Sequence, residues 1–278
     1  MSSEIVSTSR APFASLEEGA RAVLECPLAD EKARLGHRVA DLWRSGALSL
    51  KADGDAEMPV RPNRPAKPEL LSHRDMPKRT FKGARGRFAL LHSLAHIELN
   101  AIDLAFDMAG RWSGEALPRA FYDDWIKVGD EEAKHFLAVQ GRLAAMGGAY
   151  GDLPAHNGLW EAAEETRHDL LARLAVVPLV LEARGLDVTP VMIERLTGAG
   201  DLESAEVLRM IYREEQQHVG AGARWFAYLC DQRQLSPDET FHMLVRKHFR
   251  GLLKPPFNVE ARNAAGLYPN FYEPLTSR

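Results

Sequence analysis

Two short stretches carry residues whose types and spacing suit metal binding: Asp130-Glu131-Glu132-Ala133-Lys134-His135 and Arg213-Glu214-Glu215-Gln216-Gln217-His218. Residues three apart on a helix share a face, so Glu132 with His135, and Glu215 with His218, each make one clamp. Glu98 precedes Glu132 by 34 residues and Glu182 precedes Glu215 by 33. The chain thus reads as two similar halves, each an inward glutamate, a turn, and Glu-x-x-His on the returning helix. Six candidate ligands result: Glu98, Glu132, His135, Glu182, Glu215 and His218. Two such pairs, each with a glutamate from a neighbouring helix, are what a carboxylate-bridged dinuclear site needs. Carboxylates and imidazoles without thiolate favour iron or manganese over structural zinc, which closes with four ligands and usually includes cysteine.

Four long helices are predicted to position these groups. Over 84–111, Leu91, Leu94, Ala95, Glu98, Ala101, Ile102 and Ala105 recur at three- and four-residue steps, with Glu98 inside the apolar stripe. A charge there is costly unless it is metal-bound or paired with one of the arginines. The second helix spans 118–147, with Phe121, Trp125, Val128, Glu132, His135, Phe136, Val139 and Leu143 inward. The third spans 158–184 and ends at Gly185; Pro178, one turn before Glu182, predicts a kink or a π-bulge beside the site. A short helix over 189–196 precedes the fourth, over 201–233, whose inner face carries Leu208, Ile211, Tyr212, Glu215, His218, Val219, Gly222 and Phe226. Two readings of Gly222 stand: room for a pocket, or close helix packing. Likewise, Tyr212 is a proton or electron donor or a core tyrosine with a satisfied hydroxyl. His92 and His96 point away from Glu98 and read as packing or surface histidines. His168 reads as inward but too far from Glu182 to join the cluster.

Around this 81–233 bundle, residues 1–80 form an N-terminal arm. Helices are expected over 15–25, opened by a Ser15–Glu18 capping box, and over 30–45. A stretch with Pro59, Pro62, Pro65, Pro68 and Pro77 follows, either extended across the bundle or a flexible linker. Residues 234–278 add a helix that Ser236-Pro237-Asp238-Glu239 opens with a capping box and a proline at its first position, and an irregular tail. The class is all-α. With 278 residues, 45% apolar and 27% charged, the chain has the composition of a soluble globular protein. A formal charge of -4 points to no polyanionic partner, and two cysteines, Cys26 and Cys230, suit a reducing cytoplasmic compartment. The longest apolar stretch, Leu174 to Leu181, is far short of a membrane span, so no membrane partner is expected.

The segments HIELNAIDLAFD, FYDDWIKVGDEEAKHF, AYGDLPAHNGLW, LEARGLDVTP and EEQQHVGAGARWF resemble the ferritin-like di-iron carboxylate superfamily, in a bacterial branch of unknown function. That branch is distantly similar to the tRNA isopentenyladenosine hydroxylase, a di-iron monooxygenase. The resemblance covers roughly residues 55 to 262. It implies a ferritin-like four-helix bundle holding two iron ions, or manganese, with Glu131 steadying the outer nitrogen of His218 and Glu214 that of His135. It also implies oxygen-dependent oxidoreductase chemistry on a small-molecule or nucleoside substrate, with an electron-donor reductase. A ferroxidase or a dimanganese catalase is the alternative, although some 80 residues before the first long helix argue against a storage shell. The absence of a Cys-x-x-Cys pair argues against a rubrerythrin-type relay. A tRNA partner would rest on the resemblance and on the run Lys78, Arg79, Lys82, Arg85 and Arg87, which is otherwise a solvated or intramolecularly paired flank. No oligomeric state is implied.

Overall fold

The computed structural model describes residues 12–51, 57–72, 74–77 and 83–277. Among them every regular element is helical, and the only ladder-type contacts are the isolated bridges Ser15–Ser49 and Leu70–Ala155. Helix α1 covers Leu16–Glu25 and α2 Ala29–Arg44. Then come α3 (Gly83–Arg111), α4 (Arg119–Ala145), α5 (Gly158–Glu165) and α6 (Leu170–Val176), followed by a π-helical turn, Val177–Glu182. Helix α7 (Ala183–Gly198) continues directly from it, and α8 (Leu202–Gln232) returns alongside. Short connections make α3–α4 and α7–α8 packed hairpins, and α4 packs on α8 to join the two. Along the seams lie fully buried Trp125, Phe121, Phe136 and Phe226, side chains whose burial contributes about 1.5–3 kcal/mol each.

The third helix departs from its predicted form. It breaks over 166–169 because Asp169 caps a new helix, its carboxylate accepting from Leu171 N–H at 2.9 Å. Beyond the π turn it runs through Gly185 and absorbs the predicted 189–196 segment into α7. Pro190, inside α7, cannot donate to the Leu186 carbonyl one turn back. The Asn258 side chain donates to that carbonyl instead, at 3.2 Å. The tail is correspondingly ordered rather than irregular: α9 (Pro237–His248) is followed by α10 (Val259–Ala264) and α11 (Pro269–Tyr272). At the start of α9 the Ser236 hydroxyl donates to Asp238 rather than accepting from the helix, so the expected capping box is not formed.

Pro178 explains the π turn. A proline contributes no N–H and its ring crowds the preceding turn, and the helix widens so that Ala183 N–H donates to the Pro178 carbonyl five residues back. The ring then projects onto α8 at Gly222, where a Cβ would stand 2.5 Å from the Pro178 Cβ. Gly222 therefore serves close packing and leaves no pocket. The Gly222→Ala protein should be less stable by about 1–3 kcal/mol, the usual cost of overpacking a filled core. Thermal unfolding of metal-free protein checks this, and an unchanged midpoint would contradict it.

The arm straps the bundle. Helix α1 lies on α3 and α2 on α4, with Lys32 ion-paired to Asp103 where both side chains are 1% exposed. The proline-rich stretch runs extended over them: Asn63 N–H donates to Leu24 O at 2.8 Å, Arg64 to Asn100 at 2.6 Å, and Trp160 to Val60 O at 3.1 Å. The 146–157 connection follows α3, where His92 accepts from Gly151 N–H at 2.9 Å and His96 meets the Tyr150 hydroxyl at 2.9 Å. Both histidines are packing residues, and burial lowers the His96 pKa to about 3. Of the basic run, Lys78, Arg79 and Lys82 lie outside the described residues. Arg87 pairs with Asp201 at 3.3 Å.

Candidate metal centre

Glu132 stands where the two hairpins meet. Its Oε2 is 3.3 Å from His135 Nδ1 and its Oε1 is 3.0 Å from His218 Nδ1. Glu98 Oε2 approaches His135 Nδ1 at 3.4 Å, and Glu215 Oε1 approaches His218 Nδ1 at 3.8 Å. Ligand atoms of Glu98, Glu132, His135 and Glu215 all lie within 4.8 Å of one another, a grouping able to hold a metal ion. Glu182 and His218 fall outside that grouping; Glu182, at the end of the π turn, is near enough to Glu215 and Glu132 for their charges to act on it. These positions follow from helix periodicity, since Glu98 and Glu132 occupy core positions of α3 and α4.

The polar atoms here are short of partners. Glu98 Oε2, Glu132 Oε1, Glu182 Oε2, Glu215 Oε2 and His218 Nδ1 are buried without a hydrogen bond. One such atom costs about 1–3 kcal/mol, and those of Glu98, Glu132 and Glu215 belong to the grouping that a cation would satisfy. Without metal, protons take its place. Burial, reinforced by repulsion from Glu132, holds the Glu98 carboxyl well above the usual range. Burial and then Glu215 and Glu132 push Glu182 up to about 8. Burial also opposes ionisation of Glu132, but the facing imidazoles outweigh it and leave this carboxylate low. Against their own burial, both imidazoles are raised by the glutamates around them.

Behind the centre the pairing crosses between hairpins. His135 Nε2–H donates to Glu214 Oε2 at 2.7 Å, and His218 Nε2–H donates to Glu131 Oε2 at 2.9 Å. Each contact fixes the ring so that Nδ1 faces inward. The His135 contact, followed by the lesser effect of Lys134, lowers Glu214 to about 2. The lysines were not anticipated: Lys134 donates to Glu214 at 2.6 Å, and Lys127 lies 3.8 Å from Glu131. The signal was the spacing of Lys127, Glu131 and Lys134, which at four- and three-residue steps share one face of α4. Beyond the Glu131–His218 pair an open cleft of about 380 Å³ lies between α4 and α8.

Two further candidates fall differently. The Tyr212 hydroxyl accepts from Asn258 at 2.9 Å, and Asn258 belongs to a network in which Arg262 clasps buried Asp187 at 2.7 and 2.8 Å. Tyr212 is thus a satisfied tyrosine under the tail. His168 is exposed rather than inward, its ring 6.1 Å from that of His248.

Fold and site together define an all-helical protein with a buried carboxylate–histidine cluster that could hold metal, and no helix among the described residues is long and apolar enough to cross a membrane. The chain belongs to the family described as protein of unknown function (DUF455), whose model matches residues 25–273. It is 43% identical over 209 residues to an uncharacterized protein of Haemophilus influenzae, covering 73% of this chain and 72% of that one. No solved structure matches the chain.

Proposed function

We propose that the chain is a ferritin-like four-helix bundle carrying two iron ions, and that it acts as an oxygen-dependent oxidoreductase on an organic or nucleoside substrate. One observation carries this reading: a single buried carboxylate, Glu132, turns one oxygen toward each of two imidazole nitrogens that are themselves held from behind. Such a carboxylate suits two ions better than one. Glu98 and His135 complete one side and Glu182 and His218 the other, with Glu215 near both, 3.8 Å from His218 Nδ1 and within 4.8 Å of ligand atoms of Glu98 and His135. Iron fits the oxygen-rich donor set, and manganese is the close alternative. A bound ferrous pair supplies electrons to dioxygen, chemistry the side chains lack. The protein's own part is to hold and shield. Glu98, Glu132, His135 and His218 are buried, whereas Glu182 and Glu215 are only partly covered, which favours substrate approach along that edge. Arg87, already paired within the chain, gives little support to a tRNA substrate.

Anaerobic loading of metal-free protein with iron should give two ions per chain. Oxygen should then change the optical spectrum and be consumed with an added reductant. Fewer than two ions would sink the dinuclear reading. Rapid mineral formation in a large oligomer would identify a ferroxidase, and peroxide disproportionation by the manganese form a catalase. Glu214→Ala should weaken metal binding about 10–100-fold with the fold intact.

Loading should also depend on pH. Metal must displace protons from the Glu98 and Glu182 carboxyls and from two raised imidazoles. The metal-free site holds these protons until pH rises through the elevated values, about 8 for Glu182. Affinity therefore increases with pH and is lost on acidification. Each proton displaced makes the affinity change roughly 100-fold between pH 8 and pH 6, so about 10,000-fold is expected at two protons per site. Titration calorimetry in buffers of different ionisation enthalpy measures the release directly, and no proton release would contradict it.

A further inference from the structure

We propose that Glu165, His168 and His248 form a second metal site, separate from the glutamate-rich centre, that takes one zinc-class divalent transition-metal ion. The break between α5 and α6 creates it. Glu165 is the last residue of α5, and His168 lies three positions on in the turn that Asp169 closes. His248 ends α9, which packs on α6 and so brings the ring to this turn. The His248 side chain is 3% exposed, yet neither ring nitrogen has a hydrogen bond.

The distances suit an ion better than a direct contact. His248 Nδ1 lies 3.6 Å from Glu165 Oε1, too long for a hydrogen bond. Two ligand atoms held roughly 2.1 Å from one tetrahedral ion are about 3.4 Å apart. Imidazoles sharing such an ion have ring centres roughly 5–6 Å apart, and those of His168 and His248 are 6.1 Å apart. As they stand the three ligand atoms are not all within 4.8 Å of one another, and His168, which is exposed, must turn its ring to bring a nitrogen onto the ion. Two imidazoles and one carboxylate select zinc-like ions over calcium or magnesium. Three protein ligands leave a coordination position open, and it faces solvent because Glu165 is 58% exposed. The other charged groups nearby are otherwise engaged: Glu164 pairs with Arg61 at 2.8 Å, and Asp169 caps α6. Such an ion would clip the C-terminal α9 to the start of α6.

The test is stoichiometry in the full chain. Metal-free wild type, His168→Ala and Glu165→Gln proteins are equilibrated with Zn²⁺, dialysed and counted, then examined with Co²⁺ for the visible absorption of a tetrahedral site. Both substitutions are at exposed positions, so folding should be retained. The expected result is one fewer Zn²⁺ per chain in each variant and loss of the Co²⁺ bands. Equal counts with equal spectra in all three proteins would overturn the proposal. The glutamate-rich centre is unaltered in both variants, so the difference holds whether or not that centre fills.

Discussion

The Glu132→Ala protein should bind neither ion of the proposed pair. Glu132 faces both imidazoles, at 3.3 Å from His135 Nδ1 and 3.0 Å from His218 Nδ1, whereas Glu98 and His135 belong to one side of the centre and Glu182 and His218 to the other. Loss of a group that merely orients a ligand costs about 10–100-fold in affinity, and loss of a shared ligand should exceed that on both sides at once. Glu98→Ala should be milder, leaving Glu182, Glu215 and His218 able to hold one ion. Metal counts after anaerobic loading and dialysis separate the two outcomes. Two ions retained by Glu132→Ala would end the bridging assignment, provided circular dichroism shows an intact fold.

The largest effect on stability is expected away from the centre, at Asp107. Its carboxylate lies at 0% exposure between Arg173, at 2.6 Å, and Arg111, at 2.6 Å. Arg173 is itself 1% exposed and donates to the Ala163 carbonyl at 2.6 Å, tying the α5–α6 break to α3. Asp107→Ala strands a buried guanidinium, a loss of about 3–5 kcal/mol. At roughly 2–4 °C per kcal/mol for chains of 150–250 residues, the unfolding midpoint should fall by about 10 °C. A drop of only a degree or two in a thermal melt would mean that water or a rearranged partner satisfies Arg173.

The placement of Glu98, Glu132, His135, Glu215 and His218 was legible in the sequence because helix periodicity alone decides which side chains share a face. Pro178 announced the widened turn for an equally local reason, the missing N–H. The break at 166–169 was hidden because Asp169 can cap a helix or sit on its surface, and packing chooses. Gly222 was ambiguous on its own, since a missing side chain leaves either a space or a contact, and the Pro178 ring on another helix decides for contact. The ordered tail depends on Asn258 reaching Leu186 and Tyr212 from 72 and 46 positions away, a pairing that no local pattern encodes. His248 was similarly silent, because its relation to Glu165 and His168 exists only after α9 docks.

The π turn has a mechanical meaning. Glu132 sits on a continuous α-helix whose ladder is closed on both sides, so the shared carboxylate is anchored to stiff backbone. Glu182 ends a stretch where that ladder has slipped by one residue, and it lies on the partly covered edge. The widened turn and the partly covered edge therefore coincide. In the proposed centre one hairpin presents Glu132 from an unbroken ladder, and the other presents Glu182 from a slipped one.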